Sequence, residues 1–253
     1  MELKEASGIT ISSNQNILWI INDSDNKPIL YGVNKKGKIK KTLNIKAKNR
    51  DWEDLTTDLK GTIYIGNFGN NANDSKALSI LKVSKDSLNL SKKIPVEKIK
   101  FKYPEQKKFP PKNKNMHFDC EAFFHFNDSL YLFTKSRNPD KKGKTNLYGL
   151  PAKPGSYKAQ YKASFNTCNK RGCWVTSAAI NKTGDKMALL TENSVFVFSN
   201  FKGSHFFNGN VKEYSFAYSS QKESVCFKND SILYITDEYI GISGGNLYEF
   251  NLD

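Results

Sequence analysis

With 253 residues, 38% of them hydrophobic and 13% aromatic, the chain can bury a core and is not a disordered polymer. It has no run near the roughly 18 apolar residues of a membrane helix, and no signal-peptide core. Its net charge of +14 comes almost wholly from lysine, and turn lysines without a bidentate fork argue for a solvated surface and against nucleic acid as a partner.

In chain order, strand-like runs lie at 17–21, 30–33 and 39–45, and the same succession returns at 62–65, 78–81 and 96–103. It recurs at 130–133, 147–150 and 157–165, then at 187–190, 195–198 and 211–218, and last at 232–235 and 247–250. Each unit opens on an acidic or hydroxyl entry: Glu5-Ala6-Ser7-Gly8, Glu53-Asp54-Leu55, Glu121-Ala122-Phe123, Thr176-Ser177-Ala178 and Glu223-Ser224-Val225. The anchors at 5, 53, 121, 176 and 223 give a period of about fifty residues. Apolar spacing at helical period does not persist anywhere.

Four short antiparallel strands repeated five times predict an all-β fold, a five-bladed β-propeller in a single domain 1–253, with a six-bladed propeller as the alternative. The blades fall near 5–48, 53–104, 121–166, 176–219 and 223–253, and the proline-rich 103–116 is a loop between the second and third. The fifth unit ends after its third run, so its outer strand is expected from elsewhere, with residues 1–4 as the local candidate.

In a propeller the first strand of each blade lines the axis. Glu5, Glu53, Glu121 and Glu223 are therefore expected to converge at one rim, with Thr176 in the fifth place. Three things can offset four facing carboxylates. A divalent cation with hard oxygen ligands, calcium rather than zinc, is one. Pairing with Arg50, Lys135 and Lys222 is the second, and capping of backbone amides in their own turns is the third. The second strands end at the same rim in polar clusters, which adds Asp23, Asn67, Asn70, Glu192, Asp237 and Glu238 as ligand-binding candidates. His117 and Asp119 lie nearby. The stretch Asn49-Arg50-Asp51-Trp52-Glu53-Asp54 is the richest entry, and Trp52 and Trp174 flank the second and fourth entries as rim platforms or as wedges between blades.

Cys168 and Cys173 bracket a polar loop with the spacing of a small disulfide, while Cys120 and Cys226 lie within strand-like runs as buried thiols. No histidine spacing fits a zinc site, no glycine-rich phosphate loop precedes a helix, and no serine sits in a nucleophile elbow.

The segments Glu5-Ala6-Ser7-Gly8, Asn22-Asp23-Ser24-Asp25-Asn26, Asp51-Trp52-Glu53-Asp54-Leu55, Gly66-Asn67-Phe68-Gly69, Asp119-Cys120-Glu121-Ala122 and Gln221-Lys222-Glu223-Ser224 together resemble a poorly characterised family of exported bacterial β-propellers. That family is similar to the SdiA-regulated propellers and more distantly to phytase-like and esterase-like propeller domains. The resemblance implies the propeller fold, an extracytoplasmic place (periplasmic, secreted or lipid-anchored, any targeting segment removed ahead of Met1) and calcium. Here Asp25 stands where the family carries glycine and Asn67 where it carries aspartate.

The function expected is binding of a small polar or anionic ligand with a divalent cation at the acidic rim, by a monomer. Two alternatives stand beside it. In a metal-assisted phosphoesterase or esterase, Glu53 or Glu121 is the base and Lys135 or Arg50 holds the anion. The other is a protein-interaction scaffold.

Overall fold

Successive apolar runs joined by tight turns pair antiparallel and stack into small sheets. The computed structural model describes residues 3–12, 16–90 and 93–253, and they form five sheets around one axis, a five-bladed β-propeller with no sixth sheet among the described residues. The first blade holds β1 (Ala6–Ile11), β2 (Leu18–Asn22), β3 (Ile29–Val33) and β4 (Ile39–Asn44). The second holds β5 (Trp52–Thr57), β6 (Ile63–Asn67), β7 (Leu78–Val83) and β8 (Glu97–Lys102). Next comes β9 (Asp119–Phe126), β10 (Ser129–Lys135) and β11 (Lys144–Pro151), with a detour through β12 (Gly155–Lys158) before the outer strand β13 (Gln160–Asn166). The fourth blade is β14 (Ser177–Ile180), β15 (Lys186–Leu190), β16 (Ser194–Ser199) and β17 (Asn210–Ser215), and the fifth is β18 (Lys222–Phe227), β19 (Ile232–Asp237) and β20 (Leu247–Asn251).

Two blades depart from four strands. The run 157–165, read above as one strand, is two. Tyr157 pairs with Phe101 in a parallel ladder between β12 and β8, so β12 becomes a fifth strand of the second blade. The chain breaks at Ala159, whose amide donates to Lys102 O at 2.9 Å, and returns to its own blade as β13. The fifth blade has three strands. Leu3 and Lys4 do not supply a fourth, because Lys4 O instead accepts the Tyr239 amide at 2.8 Å beyond the end of β19; residues 1 and 2 lie outside the described residues.

Among the described residues, packing rather than a shared strand closes the ring. Five apolar clusters each lie between two neighbouring blades. The last joins Ile9, Leu18 and Val33 of the first blade to Cys226 and Tyr234 of the fifth. Second strands such as β2 and β6 are buried on both faces, whereas outer strands such as β4 and β8 alternate with solvent. Trp52 is 0% exposed in the cluster between the first two blades, so it is a wedge and not a rim platform. Burying such a side chain contributes about 1.5–3 kcal/mol.

Four of the five inner strands share one irregularity, and it sets the site. The pairs Ala6↔Asn22, Trp52↔Asn67, Cys120↔Thr134 and Lys222↔Asp237 occupy one level of the ring, and a register shift follows each. Ser7, Glu53, Glu121 and Glu223 fall at that shift, as a β-bulge re-aims a side chain. Glu5 is therefore not the counterpart of Glu53. It stands two residues earlier, level with Asp51, Asp119 and Gln221.

Candidate functional site

Gly8, Asp54, Ala122 and Ser224 follow the bulges of their inner strands, and Ser177, which opens the regular β14, holds the same level in the fourth blade. All are small except Asp54, and a Cβ at Gly8 would come within 2.8 Å of Leu55 N. Asp54 fills the space the others leave. Its carboxylate accepts the amides of Leu55 (2.8 Å), Phe123 (3.1 Å) and Ala178 (3.3 Å) and the Ser177 hydroxyl (3.1 Å). Ser177 Oγ in turn accepts the Val225 amide at 3.1 Å. Equivalent amides from four blades are thus satisfied by two side chains. Asp54 is 0% exposed, and burial pushes its carboxyl well up, against the pull of these donors. It plugs the axis and is not a rim ligand.

At the rim, among the described residues, one group of three ligating side chains converges: the oxygens of Asp23, Asp51 and Glu53 lie within 4.8 Å of one another. Asn49 ties their two blades together, donating to Asp23 O at 2.7 Å and accepting the Trp52 amide at 3.0 Å. Gly69 makes room, since a Cβ there would collide with the carboxylates of both Asp51 and Glu53. Glu53 is 8% exposed, accepts no hydrogen bond and pairs with no cation among the described residues. Burial first, and the Glu121 charge second, hold its carboxyl well above the usual range. Burial and the Asp23 charge push Asp51 up to about 7, and burial also raises Asp23 against the Ser24 amide.

Beside this group lies a paired one. Arg137 contacts Asp119 at 2.5 Å and Glu121 at 3.0 Å, and Lys135 reaches Glu121 at 3.2 Å. Asp119 also accepts the Asn70 amide at 2.8 Å. Burial pushes Glu121 up, but Lys135 and Arg137 outweigh it and keep this carboxyl ionised below its ordinary range. Burial and the Glu121 charge raise Asp119 against the pull of Arg137. On the far side, burial raises Glu223 to about 8 with Lys135 opposing, and burial with the Asp23 charge raises Glu238 to about 7. A molecule of net charge +14 thus gathers Asp23, Asp51, Glu53, Asp119, Glu121, Glu223 and Glu238 at one rim.

The expected ring of Glu5, Glu53, Glu121 and Glu223 is not what converges. Glu5 is exposed and bonded to Asn26, and Glu121 is occupied by two cations. Arg50 is exposed and pairs with no carboxylate among the described residues, because its side chain leaves the bulge level towards solvent. Lys222 is buried against the rings of Phe216 and Tyr218, 4.6 and 4.7 Å away, and donates to Ser220 Oγ at 2.9 Å rather than to rim carboxylates. Asn67 accepts the Arg50 amide at 3.1 Å, Asn70 donates to Phe118 O at 3.0 Å, and Asp237 accepts the Tyr248 hydroxyl at 2.7 Å, so all three hold loops. Glu238 accepts from Gln221, Glu192 stands near Glu223, and His117 contacts Ser136 Oγ at 2.9 Å with burial lowering its imidazole. Cys168 and Cys173 are bonded, their Cα atoms 5.6 Å apart, and Cys120 and Cys226 are free and buried.

Sequence reasoning missed Arg137, the cation that spans two carboxylates. The signal was its place in the second-strand cluster Thr134-Lys135-Ser136-Arg137, two residues past a lysine already singled out.

No family model matches the sequence, and no curated protein does. Solved structures do. A gluconolactonase from Xanthomonas campestris is similar over 100% of this chain and 75% of its own, at 12% identity and a TM-score of 0.54. A chain of the nidogen/laminin complex is similar over 93% of this chain and 73% of its own, at 10% identity and a TM-score of 0.51. Another protein assigned as a gluconolactonase is similar over 91% and 70%, at 10% identity and a TM-score of 0.50. At these identities what they share with this chain is the β-propeller fold.

Proposed function

We propose that this propeller acts outside the cytoplasm and binds a divalent cation through Asp23, Asp51 and Glu53, with a small anionic or polar ligand beside it. One observation carries the reading: Glu53 is 8% exposed and, among the described residues, has neither a hydrogen bond nor a counter-ion beside two further carboxylates. Burying unpaired acids together costs several kcal/mol unless a cation compensates. An all-oxygen donor set selects a hard ion, calcium before zinc. A cation held there supplies positive charge to a ligand oxygen. Lys135 and Arg137 have donors to spare after pairing with Glu121 and Asp119, and these fit an anionic group. The Cys168–Cys173 bond supports the oxidising compartment that the resemblance to exported propellers implies.

The test is thermal unfolding with calcium against chelator. At a cation concentration 100 times Kd the gain is about 2.7 kcal/mol, or roughly 5–10 °C in Tm for a chain of this size. A Tm that ignores both additions ends the cation reading.

A hydrolytic reading has one observation in its favour. Glu223, pushed up to about 8 by burial, faces Lys135 and is matched to proton transfer near neutral pH. Glu121, kept ionised by two cations, is the poorer base. The likeness to gluconolactonases makes lactones a natural addition to an ester and phosphoester panel. If Glu223→Gln turns the panel over at the wild-type rate from a measurable baseline, this reading goes.

A further inference from the structure

Trp174 holds the fourth blade's place at the level occupied elsewhere by Glu5, Asp51, Asp119 and Gln221, three residues ahead of Ser177 as those four stand three ahead of Gly8, Asp54, Ala122 and Ser224. Four polar residues and one tryptophan therefore share this level. Of the three tryptophans, Trp19 and Trp52 are 4% and 0% exposed, and Trp174 alone is partly open. Its polar edge is spent: Nε1–H donates to Ser136 O at 2.8 Å. What remains to meet a ligand is ring surface.

The ring is also held in place. The Cys168–Cys173 bond closes the loop just before it, Cys173 is buried, and Thr167 bonds to the carbonyls of Cys173 and Gly143. On the rim side, Lys135 Nζ lies 5.8 Å from the ring centroid while its ammonium stays 3.2 Å from Glu121. One cation thus joins an aromatic surface to the paired carboxylates. Lysine has three N–H donors, and a single ion pair leaves others for an incoming anion.

We infer that Trp174 and Lys135 form an aromatic-and-cation subsite that selects ligands carrying both an anionic group and a ring. The inference rests on the rim being the ligand site proposed above, and it names the ligand class. Ring stacking on an indole contributes about 1–3 kcal/mol, so removing it costs about tenfold in affinity or more.

Phenyl phosphate and inorganic phosphate are the probes, titrated by calorimetry and by tryptophan fluorescence into the whole chain, with and without calcium. Phenyl phosphate is expected to bind saturably, about tenfold tighter than inorganic phosphate, and to change the emission. Trp174→Ala should lose that tenfold preference while keeping its affinity for inorganic phosphate. Trp174→Phe, which keeps a ring, should retain the preference and lose the emission change, and it guards against misfolding of the alanine variant. Equal affinity for the two probes, an unchanged preference in Trp174→Ala, or no saturable binding of phenyl phosphate at millimolar concentration would each overturn the inference. Failure of calcium to bind leaves these readouts intact, so loss of the cation reading and loss of the aromatic subsite are separate results.

Discussion

Glu53 and Asp54 are consecutive in one bulge, yet their carboxylates end in opposite surroundings. Asp54 turns to the axis and takes three amides and a hydroxyl, while Glu53 turns to the rim, buried and without a partner among the described residues. Replacing Asp54 therefore tests the architecture and replacing Glu53 tests the site.

Asp54→Ala leaves buried donors from three blades unsatisfied, at about 1–3 kcal/mol each. The expected result is loss of the folded protein or a fall of several kcal/mol in denaturant unfolding. Asp54→Asn keeps one acceptor oxygen and should cost less. Equal stability of Asp54→Ala and wild type would remove Asp54 from its place as the plug.

Stability should fall as pH rises when chelator is present. Burial raises Asp51 to about 7, Glu238 to about 7 and Glu223 to about 8. The folded protein then holds protons that the unfolded chain has lost, so each group destabilises the fold as pH climbs from about 4 through 8. A Tm series in chelator reads this directly, and a flat or rising Tm over that range contradicts it. Calcium at pH 8 should restore part of the loss.

Arg137→Ala removes the ion pair to Asp119 and one of the two cations on Glu121. Breaking a buried pair of this kind costs about 3–5 kcal/mol. Arg50→Ala, at an exposed side chain without a counter-ion among the described residues, should stay within about 0.5 kcal/mol of wild type. Urea unfolding of the two variants separates them, and similar midpoints would reverse the assignment of the rim arginine.

The period of about fifty residues was legible because every blade buries both faces against neighbours, which keeps its strands apolar and aromatic. The small residue after each entry also carried the axis: Gly8, Ala122, Ser177 and Ser224 could be counted from sequence. Counting from them places Ser7, not Glu5, level with Glu53. The entry carboxylates are no guide to the level, because Glu5 stands three residues before its small residue and Glu121 and Glu223 one before theirs. Bulges shift register by one residue, and no composition signal marks them. The convergence of Asp23 with Asp51 was not legible either, because it depends on Asn49 bridging two blades through backbone carbonyls and an amide. The excursion of β12 into the second blade was hidden inside what read as one strand.

Calorimetric titration of calcium into wild type, Glu53→Gln and Glu223→Gln tests the central claim most directly. Wild type should bind one equivalent, Glu53→Gln should lose that binding by tenfold or more, and Glu223→Gln should keep it. A wild type that takes up no calcium, or a Glu53→Gln variant that binds it as wild type does, would contradict a cation site built on Asp23, Asp51 and Glu53.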